Sequence, residues 1–351
     1  RAVGAAYFAD DAAAAAAAAD GTPAALVARY AKPLGSDPNA GLRRGYALAI
    51  GALPAAQLRA ARGEWVRALA TAAAMEDMVE LRDPETRRNA VRGMLEAATT
   101  VGAADLWAAP SEHASGTLWG EVSAAMLAAL DDYQTDNRGD VGSWVREAAM
   151  DSLLEYLLLS SQLRDGESKD GESKPQHHPP IVAAAEAFAT CLCQQASEKI
   201  DRMRVCAAAA AARLLLAPDA PPLADAAALS SVFLDPPAAA DGTANGAAPS
   251  VVPEEKQFLV PTSAFPRVVA LLALPARREA TMRGLVVSAG GKTESTMRAA
   301  RAALQKHCAA AADLAAVGAA LLGVLDESVA TPDAHKRLAL ASLLTTEQLL
   351  E

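Results

Sequence analysis

An all-α architecture of stacked helices is what this sequence predicts, and three observations predict it. Hydrophobic residues make up 52% of the chain, yet aromatics make up only 4%. Most of the apolar content is Ala and Leu, which are strong helix formers. Few β-branched runs alternate at period two, so strands are not expected. A chain of 351 residues is also long for a single core, so it should form several domains or an elongated repeat.

Taken in order, the chain alternates helical patterns with turn chemistry. The eight-Ala run Ala12–Ala19 either extends a helix or is low-complexity sequence. Pro33–Pro38 (PLGSDP), Pro54 and Pro84 interrupt periodic runs and mark helix boundaries. Leu106–Thr117, with Pro110, Ser111 and Gly116, reads as a connector. An Arg followed by a small or apolar helical face recurs in LRRGYALAIG, AVRGMLEAA, WVREAAMDSLL, MRVCAAAAAARLL and MRGLVVSAG. The interval is 48 residues from Arg44 to Arg92, 54 more to Arg146, and 58 more to Arg204. Those intervals approach the roughly 40–47 residues of a HEAT or armadillo unit, lengthened by loops. A helix pair of that kind cannot bury its apolar face alone, so neighbours stack into an α-solenoid.

Two segments are read as disordered insertions. Residues 164–180 contain the tandem DGESKDGESK followed by PQHHPP, and residues 235–253 read DPPAAADGTANGAAPSVVP. Polar repeats of this composition bury too little apolar surface to offset the entropy of ordering.

Charge and composition exclude several functions. The net charge is −10 and the pI about 5.1, without a basic stripe, which disfavours nucleic-acid binding. No apolar run reaches the roughly 20 residues of a membrane span. The start, RAVGAAYFADD, lacks the apolar region of a signal peptide, and its first residue is Arg1, as expected of an interior fragment. Cys191, Cys193, Cys206 and Cys308 do not make a disulfide framework in so long a chain, and read as buried free thiols. Zinc binding by His177, His178, Cys191 and Cys193 is disfavoured, because both cysteines sit in a helical pattern rather than in a loop knuckle. No metal or organic cofactor is therefore expected.

Motifs of chemistry fail on their spacing. SAGGKTES at Ser288–Ser295 suggests a phosphate loop, but the required first glycine falls on Val286. Gly290 and Gly291 read instead as the end of one helix, with Thr293 or Ser295 starting the next. A calcium loop begun at Asp132 places Asn137 at its sixth position and Ser143 at its twelfth, where Gly and Glu are needed. There is no GxSxG, HExxH or GxGxxG, and His113, His177, His178, His307 and His335 occupy unrelated contexts. The chain is thus expected not to be an enzyme.

Two charged segments remain as candidate partner contacts. In DDYQTDNRGDVGSWVREAAM, an acidic turn-forming loop leads into an amphipathic helix. Asp131, Asp132, Asp136 and Arg138 are expected at a protein-contact surface. Asp140 or Ser143 is expected to cap the helix, with Arg146 six residues after Asp140. In QQASEKIDRMR, Glu198, Lys199, Asp201 and Arg202 alternate in charge, with Glu198 and Arg202 spaced as an i,i+4 pair on a helix. A purely structural loop and a solvated helix face are the plainer readings of these segments.

The segment Asp131–Met150 resembles the tubulin-folding cofactor D family. Gln194–Arg204 and Gly284–Met297 (GLVVSAGGKTESTM) support the match, with weaker similarity at Gly41–Pro54, Pro84–Gly102 and Thr262–Pro275. The blocks follow the family's order, and residues 1–351 resemble its C-terminal helical-repeat portion. The family usually carries an apolar residue where Lys292 stands. The offset from Asp140 to Arg146 in this sequence also resembles HEAT units, where such residues bridge adjacent repeats. The resemblance implies binding of β-tubulin and assembly and disassembly of the αβ-tubulin heterodimer. It implies work with tubulin cofactors C and E and an Arl2-like small GTPase, and stimulation of GTP hydrolysis by tubulin. A cytoplasmic location, with microtubules or the centrosome as associated structures, goes with that reading. The alternative is a HEAT scaffold or adaptor without tubulin affinity.

Overall fold

A computed structural model describes residues 23–76, 82–112, 116–165, 176–236, 251–291 and 293–330. The run Ala12–Ala19, His113, Lys292, His335 and the interiors of both expected insertions lie outside the described residues. The chain divides into two units, residues 1–184 and 185–351. Both are built almost wholly of helices among the described residues, as the Ala- and Leu-rich composition predicts.

In the first unit the helices are α1 (Pro23–Ser36), α2 (Ala40–Gly51), α3 (Ala55–Ala60), α4 (Arg62–Ala73), α5 (Pro84–Val101), α6 (Ala103–Trp107), α7 (Leu118–Ala128) and α8 (Gly142–Leu159). They form two rows. Helices α1, α4 and α7 pack successively in one row, and α2, α5 and α8 in the other. Each of the pairs α1 with α2, α4 with α5, and α7 with α8 joins the rows, giving three helical repeats. This is the solenoid-type stacking expected when single pairs cannot cover their own apolar faces.

Helix α5 shows how the sequence specifies this arrangement. Asp83, in extended conformation, accepts from the Thr86 N–H at 3.0 Å, and Pro84 occupies the first helical turn. The helix stops at Gly102, whose φ of 98° suits glycine and not a side-chain-bearing residue. Ala90, Val91, Met94, Ala97, Ala98 and Val101 are buried, a helical stripe that faces neighbours on both sides. At its centre α5 meets α2 backbone to backbone. A Cβ on Gly51 would lie 2.7 Å from the Gly93 Cα, and one on Gly93 would lie 2.5 Å from the Ala47 carbonyl oxygen. Small residues are required there by contact, which gives the RG and Ala-rich motifs a packing role.

The few large residues anchor the ends of the repeats. Trp65 is fully buried and its Nε1 donates to the Leu58 carbonyl at 3.1 Å. Trp119 stacks on Tyr156 with centroids 5.7 Å apart, meets Trp107 edge-on at 5.6 Å, and donates to Ser160 Oγ at 2.7 Å.

Helix α9 (Pro179–Ala196) is followed by α10 (Asp201–Leu216), α11 (Ala226–Phe233), α12 (Lys256–Leu259), α13 (Pro261–Val268), α14 (Pro275–Ala289), α15 (Glu294–Ala310) and α16 (Leu314–Ala330). In the second unit α10 packs on α11 and α12, α12 on α13, and α13 on α15. Helix α14 packs on α15 and α16. On its other side, α14 brings Gly284 against the Gln194 carbonyl and Ser197, while Ser288 Oγ donates to the Ser197 carbonyl at 2.8 Å. Gly290 caps α14, its N–H reaching the Val286 carbonyl at 2.9 Å, and the Gly291 N–H reaches Ser288. Thr293 stands at the N-cap of α15. Both glycines therefore end the helix as the sequence predicts. The φ of Gly290 is −90°, so this end does not use a left-handed residue.

Strand structure among the described residues is limited to short pairings. The strands β1 (Thr135–Asp136) and β2 (Gly139–Asp140) are antiparallel, as are β3 (Arg164–Asp165) and β4 (Gln176–His177). The second pairing joins the described ends of the first expected insertion. An isolated bridge between Asp235 and Val251 does the same for the second.

Candidate functional site

The hairpin of β1 and β2 and the helices beside it gather most of the charged candidates. Its turn is Asn137-Arg138, and Gly139 has a φ of 108°. The sequence predicted a turn-forming entry to α8, and the structure closes that turn into a hairpin. Asp136 accepts from both the Arg138 N–H at 2.7 Å and its guanidinium, in an ion pair also at 2.7 Å. The hydrogen bond from Arg138 holds the Asp136 carboxyl below its ordinary range and raises the arginine in turn. The Arg138 guanidinium lies 4.9 Å from the Trp144 ring centroid and pairs with Glu85 of α5 at 3.0 Å. The hairpin is thus exposed but pinned on three sides.

Asp132 requires a correction. It was expected at a contact surface, but it is only 6% exposed. Its carboxylate pairs with Arg87 of α5 at 2.7 Å and accepts from the Gln134 N–H at 3.1 Å. Its carbonyl accepts from Arg146 at 2.6 Å. A buried guanidinium must be neutralised, and Asp132 does this for Arg87, so its charge is turned inward. Asp131, next to it, is exposed at the end of a 3-10 turn.

Asp140 caps as expected, from one residue further out than a simple N-cap. Helix α8 starts at Gly142, and the Asp140 carboxylate accepts from the Ser143 N–H at 3.1 Å. It also pairs with the fully buried Arg146 at 3.3 Å, whose guanidinium covers the Tyr133 ring at 4.1 Å. The Asp140–Arg146 contact is local to the entry of one helix. Contacts between successive repeats come from other arginines. Arg44 of α2 donates Nε and Nη2 to Asp83 at the start of α5. Arg87 of α5 reaches Asp132 ahead of α8.

Burial opposes ionisation of Asp83, but hydrogen bonds from Arg44 and Thr86 outweigh it and hold the carboxyl well below its ordinary range. The hydrogen bond to Asp83 raises Arg44 correspondingly. Neither Asp83, Glu85 nor Arg87 stood out in the sequence, because each acquires its role from a residue some 40 positions away.

A second regularity recurs at helix entries. Arg43 reaches the Asp37 carbonyl at 2.8 Å, Arg146 the Asp140 carboxylate, Arg204 the Glu198 carbonyl at 2.8 Å, and Arg278 the Leu272 carbonyl at 2.7 Å. Each arginine follows its acceptor by six residues. Arg204 is fully buried, and its other nitrogens donate to the Phe258 and Leu259 carbonyls at 3.0 and 2.8 Å. Arg277 is likewise buried and joins Glu186, Thr190 and Asp225.

The second charged candidate segment is not one helix. A turn at residues 197–200 separates α9 from α10. Glu198 lies in that turn and is 1% exposed, which corrects its expected place on a solvated ridge. Lys199 is half-buried in the same turn, while Asp201 and Arg202 open α10 and are exposed. Arg204 folds back onto the Glu198 carbonyl across this turn.

His178 of the disfavoured zinc set stacks on Trp107 with centroids 4.4 Å apart, and burial pushes the Cys193 thiol up to about 12. No described helix is long and apolar enough to cross a membrane.

Two packed rows of helices in the first unit and a second unit built of packed helices, each with buried arginines, define an all-α helical-repeat protein. Residues 186–351 match the family model described as tubulin folding cofactor D C terminal. The second unit is therefore similar to the C-terminal domain of tubulin folding cofactor D, as the resemblance predicts. The matched stretch coincides with the second unit, from one residue inside its start, and holds two of the three stronger resemblance blocks.

Proposed function

We propose that this chain acts as a tubulin-folding cofactor that binds β-tubulin. On this reading it works with tubulin cofactors C and E and an Arl2-like small GTPase to assemble and disassemble the αβ-tubulin heterodimer, in the cytoplasm or at microtubules and the centrosome. The observation that carries the reading is the family match over residues 186–351. The chain's part is that of a non-catalytic chaperone, which stimulates GTP hydrolysis in tubulin without reacting itself. A stacked-helix surface that binds one tubulin state more tightly than another shifts the assembly equilibrium by that difference in affinity.

The exposed Asp131, Asp136, Arg138, Asp201 and Arg202, with the half-buried Lys199, are the candidate contacts, and the buried Asp132 and Glu198 are not. Capture of purified tubulin by the chain, beside an unrelated HEAT array, tests the reading. Capture above the control supports it. Capture equal to the control would leave a helical-repeat scaffold without tubulin affinity.

A further inference from the structure

Glu85 stands between two arginines from different repeats. It lies in the first turn of α5, with Arg44 of α2 on one side and Arg138 of the hairpin before α8 on the other. Its Oε1 accepts from Arg138 Nη1 at 3.0 Å with hydrogen-bond geometry. Its Oε2 lies 3.1 Å from Arg44 Nη2, close enough for an ion pair but not aligned for a hydrogen bond. The Glu85 side chain is 17% exposed and the two arginines 38% and 43%. The guanidinia also sense each other, since the charge of Arg138 opposes protonation of Arg44. Asp83 on Arg44, and Asp136 and Trp144 on Arg138, complete the groups in contact with the two arginines.

We propose that Glu85 is a shared counter-ion that couples the exposed 135–140 hairpin to α2 across three repeats. Two like charges compete for one carboxylate. When Arg138 is drawn away, Glu85 turns its full charge on Arg44. When Arg44 is lost, Glu85 tightens on the hairpin. Such coupling is reciprocal, because both ends share one interaction free energy. A partner carboxylate that takes Arg138 would therefore be registered at the α2–α5 junction without touching it. The inference goes beyond the proposed function and does not depend on tubulin being the partner.

A double-substitution cycle on the full chain tests it. Arg44→Gln, Arg138→Gln and the pair are compared by hydrogen exchange of amides 135–140, with circular dichroism to confirm folding. Arg44→Gln alone is expected to slow exchange several-fold, because Glu85 then tightens on Arg138, whereas Arg138→Gln alone is expected to speed it. With Arg138 already replaced, Arg44→Gln should have no further effect, so the pair should match Arg138→Gln and depart from the product of the singles by roughly threefold or more. In a Glu85→Gln background that departure should vanish. Multiplicative effects with Glu85 present, or a departure that survives Glu85→Gln, would overturn the proposal.

Discussion

Arg87 and Asp132, 45 positions apart, form an ion pair at 2.7 Å with side chains only 2% and 5% exposed. The pair fastens the second repeat of the first unit to the entry of the third. Its arginine comes from the core face of α5, and its carboxylate comes from a loop whose charge density suggested a surface.

Replacing Asp132 by Ala should therefore destabilise the fold strongly. It leaves Arg87 buried without its counter-charge and also removes the acceptor for the Gln134 N–H. Breaking a buried pair from one side costs about 3–5 kcal/mol. Urea unfolding measures the loss. A change within error would mean that the pair is open to water in solution.

Gly93 is limited by contact with its neighbour rather than by its backbone angles. A Cβ there would fall 2.5 Å from the Ala47 carbonyl oxygen, a backbone atom that cannot swing aside. Gly93→Val should push α2 from α5 and cost about 1–3 kcal/mol or more. Gly45, which has nothing within 4 Å of its added Cβ, is the control, and Gly45→Ala should be neutral or stabilising. Thermal unfolding of the two variants distinguishes a packing constraint from a general intolerance of these helices.

Asp83 gives the fold an acid-sensitive tie. Its carboxyl titrates below the ordinary value of 3.8 when folded, so the stabilisation it brings is fully present above that value. That contribution is lost as the pH falls from there through the depressed value, where the folded carboxyl takes up its proton. Asp83→Asn should lower stability at neutral pH and make the decline of stability below about pH 4 shallower than in the parent. Parallel pH curves would show that Asp83 is not held in its ionised form by Arg44.

Asp131 and Asp136 should behave differently from Asp140. Changing the first two to Asn removes two exposed charges while keeping much of the turn chemistry. If they steer a partner, association with tubulin should slow, and its salt dependence should shrink. Asp140→Ala should instead lower stability by about 3–5 kcal/mol, because it removes both the cap on Ser143 and the carboxylate beside the fully buried Arg146. Unchanged association rates at two ionic strengths would return the hairpin to a structural role.

The sequence made local features legible and left their partners hidden. Pro84 marked the start of α5 by short-range chemistry, and Gly290 and Gly291 end α14 where turn residues predict. The recurring Arg motifs located the repeats, because stacking helices demand small residues at regular intervals. The stacking helices α2, α5 and α8 themselves begin at residues 40, 84 and 142. Asp132 and Glu198 were misplaced for one physical reason. A carboxylate in a charged stretch resembles a solvated one until the buried arginine that meets it, Arg87 for Asp132, or folds back beside it, Arg204 for Glu198, is seen. The offset of six residues was visible at Asp140 and Arg146, but not its recurrence at Arg43, Arg204 and Arg278. There the acceptor is a backbone carbonyl, which leaves no mark on residue type.

Saturable binding of the labelled chain to purified tubulin, followed by fluorescence anisotropy, tests the central claim most directly. The account predicts a saturating isotherm with tubulin and none with an unrelated protein of similar charge. It also predicts that an unlabelled helical-repeat control of equal length fails to compete. A flat titration with folded chain and native tubulin, or full competition by the control, would contradict the assignment of tubulin as partner.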